Sequence, residues 1–199
     1  MILDSLRLQV LEGFLRDYDV SFTGSIIARK KNQNQKSVAN VLREFEMQSV
    51  LKSTTQGKNK LYSLNLDDSQ MIVSFISMLE HMRTLDFYKR QPLIKEISKK
   101  IIPYCDGPVA IFGSYAKGIQ KKGSDLDVFV AGRYDHEEIK KISAIYKIDI
   151  NVKNYPPVLF KKSLLKKDHL LEEVKKDHIL IWDVQRFVSY VMEFGYGKD

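Results

Sequence analysis

Cysteine is almost absent from this 199-residue chain, since Cys105 is the only one. A single thiol excludes an intrachain disulfide and a zinc site built from several cysteines. No apolar stretch approaches the roughly 20 residues that a membrane-spanning helix needs. Charges such as Asp4 and Arg7 interrupt the apolar residues at the N-terminus, which argues against a secretory signal. These absences predict a cytoplasmic protein with no membrane partner.

Proline and glycine are also scarce, with five and ten residues, so a low-complexity chain is excluded. Hydrophobic residues make up 44% of the chain and charged residues 29%, which is typical of soluble globular domains. The length suits one ordinary domain or two small ones. A net charge of +7 favours a nucleic-acid or nucleotide partner.

Most of the excess positive charge lies in one short segment. Between Ser21 and Asn65 the sequence has eight lysines and arginines but only two glutamates, so eight minus two leaves +6. Apolar residues at helical spacing predict three helices before and within this segment, and alternating residues then predict a hairpin. The predicted elements are helices over 5–15, from Thr23 onward and over 35–49, then strands over 50–55 and 60–64.

Three helices followed by a basic hairpin resemble a winged helix-turn-helix DNA-binding domain. The resemblance rests on segments 22–29, 34–43 and 57–64. It implies that the third helix enters the major groove of double-stranded DNA and that the hairpin tip contacts phosphates. A protein-contact module or a scaffold without DNA is the alternative. The implied DNA-contact residues are Gln35, Lys36, Ser37, Asn40, Arg43, Lys58, Asn59 and Lys60.

A long helical pattern over 67–90 predicts a linker helix. Its apolar stripe either packs against the first helix or pairs with a second copy, which would give a homodimer. Gln91-Pro92 breaks the pattern, because proline disfavours a helical conformation in the residue before it. The predicted organisation is therefore a winged helix-turn-helix over 1–66, a linker helix over 67–91 and a second domain over 92–199. The stripe comprises Met71, Ile72, Phe75, Leu79, Met82 and Leu85.

Paired carboxylates mark the second domain. The run 125–131 alternates as a strand, so Asp125 and Asp127 point to the same face. Two carboxylates this close repel each other unless a cation lies between them, and hard oxygen ligands favour Mg²⁺. Asp149 is a third candidate, because the run 146–152 also reads as a strand and an aspartate among buried residues needs a partner.

A phosphate-binding bend precedes the paired carboxylates. The apolar run 108–112 predicts a buried strand that ends at Gly113-Ser114, with a short helical turn after it. Gly113 lets the backbone approach a phosphate closely. Ser114 offers a hydroxyl at a helix N-terminus, where amide groups attract anions. A bend, a short helix and a carboxylate-bearing strand together suit nucleoside triphosphate chemistry.

The run from Gly113 to Val130, followed by Asp149, resembles the signature of the DNA polymerase β nucleotidyltransferase superfamily over about residues 92–199. The shared pattern is a Gly-Ser pair, a spacer, an Asp-x-Asp pair on a strand and a later aspartate. It looks most like the minimal nucleotidyltransferases, which include antitoxin partners of HEPN toxins. The implied fold is α+β, with a small mixed sheet and flanking helices.

The resemblance also implies residue roles. Asp125 and Asp127 would bind two Mg²⁺ ions, and Asp149 would bind the ion that activates the attacking hydroxyl. Gly113 and Ser114 would hold the β- and γ-phosphates. The implied reaction is in-line attack of an acceptor hydroxyl on the α-phosphate of ATP or another NTP, with release of pyrophosphate.

Two further nucleotide-binding residues follow from the resemblance. Lys117 stands where many relatives have arginine, so it keeps the charge but loses the bidentate geometry. Ser124 either contacts a phosphate or caps the turn that holds it.

Three hypotheses for function follow, and they are compatible. The first is an enzyme that transfers AMP to an acceptor hydroxyl and also binds DNA. The second is a transcriptional regulator whose nucleotidyltransferase domain senses nucleotide. The third is an antitoxin that modifies or covers a HEPN-type toxin.

Overall fold

The computed structural model describes residues 4–15, 17–67 and 69–195 of the chain. The chain divides into two compact units, Met1–Leu79 and Glu80–Asp199. Both combine helices with strands, so the predicted mixed α+β class is confirmed. None of the described helices is both long and apolar enough to cross a lipid bilayer.

Up to residue 67, the described part of the first unit contains three helices and a three-stranded antiparallel sheet of order β1-β3-β2. A short strand precedes the second helix, and the hairpin follows the third. The elements are α1 Ser5–Glu12, β1 Phe22–Thr23, α2 Gly24–Lys31, α3 Gln35–Met47, β2 Leu51–Gln56 and β3 Asn59–Leu64.

Side-chain caps fix where these helices begin. The Thr23 hydroxyl accepts a hydrogen bond from the Ile26 amide at 3.3 Å, as expected for an N-cap. The Asn34 side chain does the same for the amides of Lys36 and Ser37 at 2.9 and 3.2 Å. α1 and α3 end three and two residues earlier than predicted, and β1 was not predicted because two residues carry no periodic signal.

The linker pattern forms one helix, α4 Ser69–Arg90. The residues of the predicted apolar stripe differ in exposure: Ile72 and Leu79 are buried, Phe75 is half-buried, and Met71, Met82 and Leu85 are exposed. Pairing with a second copy through the exposed set stays a prediction.

The second unit is organised around a four-stranded mixed sheet of order β8-β6-β5-β9. β5 is antiparallel to β6 and β9, whereas β6 and β8 are parallel. A two-stranded antiparallel pair, β4 and β7, lies apart from it. The elements are α5 Pro92–Ile101, a 3₁₀ turn Ile102–Tyr104, β4 Cys105–Asp106, β5 Val109–Ile111, α6 Gly113–Lys117, β6 Leu126–Val130, β7 Arg133–Tyr134, α7 His136–Tyr146, β8 Ile150–Asn154, α8 Pro157–Leu165, α9 His169–Lys176, β9 Ile179–Trp182, α10 Val184–Tyr190 and a π turn Val191–Gly195.

Apolar side chains cover both faces of this sheet. Alternate residues of β6, such as Leu126 and Val128, pack with Ile97 of α5 and Ile139 of α7 on one face. Phe129 points to the other face, where its ring lies 5.6 Å from that of Phe160. The one polar side chain of β6, that of Asp127, lies near the N-terminal end of the strand and is partly exposed.

Two predictions for this unit are wrong. The run 146–152 is not one strand. α7, which Asp135 caps, extends to Tyr146, and Lys147 ends it in a left-handed conformation, so β8 begins only at Ile150. The sequence pattern over 164–192 predicts helices throughout, but Ile179–Trp182 forms β9 against β5. Four consecutive apolar residues have no period that distinguishes a strand from a buried helix.

Candidate active site

Gly113 is the residue where the backbone meets the carboxylates. One residue, Phe112, separates it from β5, and the Phe112 amide donates to the Asp127 carbonyl at 3.0 Å. Gly113 is buried with φ +67°, and a Cβ there would lie 2.2 Å from Asp127 Oδ2. Only glycine fits a positive φ at this approach. The sequence-predicted bend and the sequence-predicted acidic strand are therefore in direct contact.

The other two aspartates lie at the same edge of the sheet. Leu126 pairs with Ile150 across the parallel strands, and the Leu126 amide donates to the Asp149 carbonyl at 2.7 Å. Asp125 and Asp149 thus directly precede paired residues, and both are exposed, whereas Asp127 is half-buried. The burial that was expected for Asp149 is wrong, because the residue precedes β8 instead of lying within it.

Asp125 and Asp127 have the chemistry of a cation site. Burial raises the pKa of Asp127 above its ordinary value, and the charges of Asp125 and Glu173 raise it further, against the opposing charges of Lys153 and Lys117. A divalent cation would relieve this repulsion. Among the described residues, however, no three His, Cys, Asp or Glu side chains lie close enough together to hold one ion. The pair fits a metal, but the three aspartates do not form one ligand cluster here.

Ser114 and Lys117 both lie on α6, which Gly118 ends in a left-handed conformation. Ser114 is half-buried at the first turn. The Lys117 ammonium lies 3.1 Å from Glu173 Oε1, a residue of α9. The Ser124 hydroxyl accepts a hydrogen bond from the Lys121 amide at 2.8 Å. Ser124 therefore caps its turn, which is one of the two roles that the sequence left open.

Three polar residues at this edge were missed. Asn151 pairs with Asp127 across the strands and donates from Nδ2 to Asp125 Oδ2 at 3.0 Å. Lys153 is two residues further along the same strand. The alternation of residues 149, 151 and 153 was a usable signal, because residues two apart share a face of a strand. Glu173 had no local signal, since its contact with the site spans 56 residues.

The predicted DNA-contact residues of α3 are all exposed, and the opposite face of the helix is buried. Glu46 holds Lys60 in an ion pair of 2.7 Å. Within the described chain, Lys36, Arg43 and Lys58 form no ion pair. The hairpin tip at Gly57-Lys58 is exposed as well. The exposed α3 residues are Gln35, Lys36, Ser37, Asn40 and Arg43, and those of the hairpin are Lys58, Asn59 and Lys60.

Solved structures with a distant likeness to this chain include the following two. A crystal structure of a toxin–antitoxin with AMP-PNP is 19% identical, covers 50% of this chain and 81% of its own, and has a TM-score of 0.33. TrmBL2, an archaeal chromatin protein with a novel mode of DNA binding, is 12% identical, covers 87% of this chain and 66% of its own, and has a TM-score of 0.30. At these scores neither structure assigns a function to this chain.

Comparison with curated proteins gives no significant match. The sequence profile of the nucleotidyltransferase domain matches residues 92–193, just over half of the chain. This range contains the Gly113-Ser114 bend and all three aspartates. The chain therefore belongs to the nucleotidyltransferase domain family.

Proposed function

We propose that the protein is a Mg²⁺-dependent nucleotidyltransferase that transfers AMP from ATP to an acceptor hydroxyl. The observation that carries this proposal is the contact between Gly113 and Asp127. It brings a backbone bend suited to phosphate against a carboxylate whose neighbour, Asp125, makes the pair suited to a cation.

The residues of the site would bind either the phosphates or the metal. The Gly113 backbone and the Ser114 hydroxyl would bind the β- and γ-phosphates, and Lys117 would balance their charge. Asp125 and Asp127 would hold the metal, with Asp149 beside them at the same edge. Bound Mg²⁺ would lower the pKa of the attacking hydroxyl and neutralise charge on the leaving group.

In the reaction, the acceptor oxygen forms a bond to the α-phosphorus of ATP, and the bond to the bridging oxygen of the β-phosphate breaks. The electron pair leaves with pyrophosphate, and the acceptor loses its proton. Positioning and charge stabilisation supply most of the catalysis in such phosphoryl chemistry. That requirement matches a site made of a backbone bend, carboxylates and lysines.

Transfer is tested by incubating the protein with α-labelled ATP, Mg²⁺ and fractionated extract from its native cell. We expect label in one acceptor, with the rate reduced by about a thousandfold in Asp127→Ala. Asp106→Ala is the matched control, since it removes an exposed aspartate of the same unit that lies outside the site. Labelling that persists unchanged in Asp127→Ala would contradict the site assignment.

A second function, binding of double-stranded DNA by the first unit, has its own support. Lys36, Asn40 and Arg43 share one exposed face of α3, whose other face is buried in the unit. Both glutamates of the basic segment are occupied, Glu44 by Arg7 and Glu46 by Lys60. The remaining cations of this face are available for phosphates. A regulator that binds DNA and senses nucleotide is compatible with the proposed transfer, and a HEPN-type toxin partner stays a prediction.

Arg43→Ala is expected to weaken binding to duplex DNA from upstream of the protein's own gene by about 1–3 kcal/mol, or roughly 5- to 150-fold. Lys36→Ala is expected to reduce the dependence of affinity on salt concentration, because one phosphate contact is lost. Fluorescence anisotropy at several salt concentrations measures both effects. Lys99→Ala, an exposed lysine of the second unit, is the control. If both α3 variants bind as tightly as the wild type, α3 does not contact the DNA.

A further inference from the structure

The ion pair between Lys117 and Glu173 lies at the proposed triphosphate site. Lys117 ends the short helix that begins at Gly113, and its ammonium is 3.1 Å from Glu173 Oε1. The two side chains remain 36% and 40% exposed. Lys117, which is proposed to balance the charge of the phosphates, is therefore already paired with the Glu173 carboxylate.

Glu173 is held in place by a well-anchored helix. Asp168 caps α9 by accepting hydrogen bonds from the amides of Leu170 and Leu171 at 3.1 and 3.3 Å. Leu171 and Val174 are buried, which fixes the face that α9 presents. The adjacent Glu172 is engaged with Lys175 at 2.8 Å. The position of Glu173 beside Lys117 is thus set by packing and capping of the helix and does not depend on a loop.

The charge of Glu173 also reaches the acidic pair. Together with Asp125 it raises the pKa of Asp127, whereas Lys153 and Lys117 lower it. The charges of four side chains therefore act on Asp127. With Asp127 itself, this group has three carboxylates and two ammonium groups, so negative charge predominates.

We propose that Glu173 is a built-in counter-anion that pairs with Lys117 and that an incoming nucleoside triphosphate must displace. This proposal rests on the proposed nucleotidyl transfer, and it assigns to Glu173 the control of nucleotide affinity. A half-exposed ion pair is held weakly, so a triphosphate carrying several charges can replace a single carboxylate. Breaking the Lys117–Glu173 pair opposes nucleotide binding, so the wild type is expected to bind less tightly than a variant in which Lys117 is already free.

The test is a calorimetric titration of the full chain with a non-hydrolysable ATP analogue and Mg²⁺. Glu173→Gln keeps the size of the side chain but removes its charge, and it is expected to bind the analogue about three- to tenfold more tightly than the wild type. Lys117→Met is expected to bind more weakly. In the double variant the gain from Glu173→Gln is expected to disappear, because the lysine that it releases is missing.

Glu137→Gln serves as the control for net charge, since Glu137 is exposed on α7. An affinity that is unchanged or weaker in Glu173→Gln would overturn the proposal. So would an equal gain in Glu137→Gln, or a gain that persists without Lys117. If neither the wild type nor Glu173→Gln binds the analogue, the proposed transfer itself is wrong and the role of Glu173 falls with it. If the wild type binds the analogue and Glu173→Gln binds it with the same affinity, only the proposed role of Glu173 is wrong.

Discussion

Replacing Glu80 with alanine is expected to destabilise the second unit by about 3–5 kcal/mol. The substitution removes the carboxylate from a buried cluster that also contains Arg83 and His178. Glu80 is fully buried, and its Oε1 lies 3.1 Å from Nε2 of His178, which is only 1% exposed. Arg83 approaches the other carboxylate oxygen at 3.7 Å. The variant would leave Arg83 and His178 buried without this carboxylate.

The hydrogen bonds of His178 show why the carboxylate matters. Nδ1 lies 3.0 Å from the Val174 carbonyl and 3.1 Å from that of Lys175. A carbonyl can only accept, so Nδ1 carries a proton, and the Nε2 side of the ring faces Glu80. The pair thereby ties the end of α9 to α4 within the second unit.

Urea unfolding followed by the fluorescence of Trp182 measures this loss, because the only tryptophan of the chain lies in β9 of the second unit. Asp86→Ala is the matched control on the same helix. Its ion pair with Arg90 is more than 60% exposed at both partners and is expected to contribute less than about 1 kcal/mol. If the free energy of unfolding falls equally in the two variants, the buried pair contributes no more to stability than the exposed one.

Gly113→Ala is expected to reduce nucleotidyl transfer by about 100-fold, since displacing a reacting group by about 1 Å has an effect of that size. The added Cβ would lie 2.2 Å from Oδ2 and 3.0 Å from Cγ of Asp127, so this carboxylate must move. The positive φ of 67° adds a backbone penalty of roughly 1–2 kcal/mol for a residue with a side chain.

Gly118→Ala separates the two effects. Gly118 has nearly the same φ, +70°, but a Cβ there meets nothing within 4 Å. It is expected to lose a similar amount of stability while retaining transfer and nucleotide affinity within a few-fold of the wild type. Parallel thermal denaturation and activity measurements compare the pair. If both variants are equally active, the contact between Gly113 and Asp127 is not part of the site.

Local signals were sufficient for much of the architecture. The N-cap at Thr23, the amphipathic α3 and the alternating strand with Asp125 and Asp127 each depend on residues close together in sequence. The predicted strand 125–131 forms as Leu126–Val130. For that reason the acidic strand and the bend before it were identified together.

Features of the structure that depend on contacts between distant residues were not predicted from the sequence. β9 was taken for helix because Ile179–Trp182 has no periodicity, and only its pairing with β5 makes it a strand. The predicted third strand ended at Val152, so Lys153 was excluded from the site by one residue. Glu173 reaches the site through the packing of α9, which no short pattern encodes.

The burial of the single cysteine also has a practical consequence for labelling. Cys105 is half-buried in β4, where its thiol donates to the Ile101 carbonyl at 3.5 Å, and burial raises its pKa to about 11. At pH 7 roughly one thiol in ten thousand is then the thiolate, which is the form that reacts with maleimides. A cysteine introduced at the exposed hairpin tip would be modified far faster than the native one. A fluorophore could be attached there without first replacing Cys105.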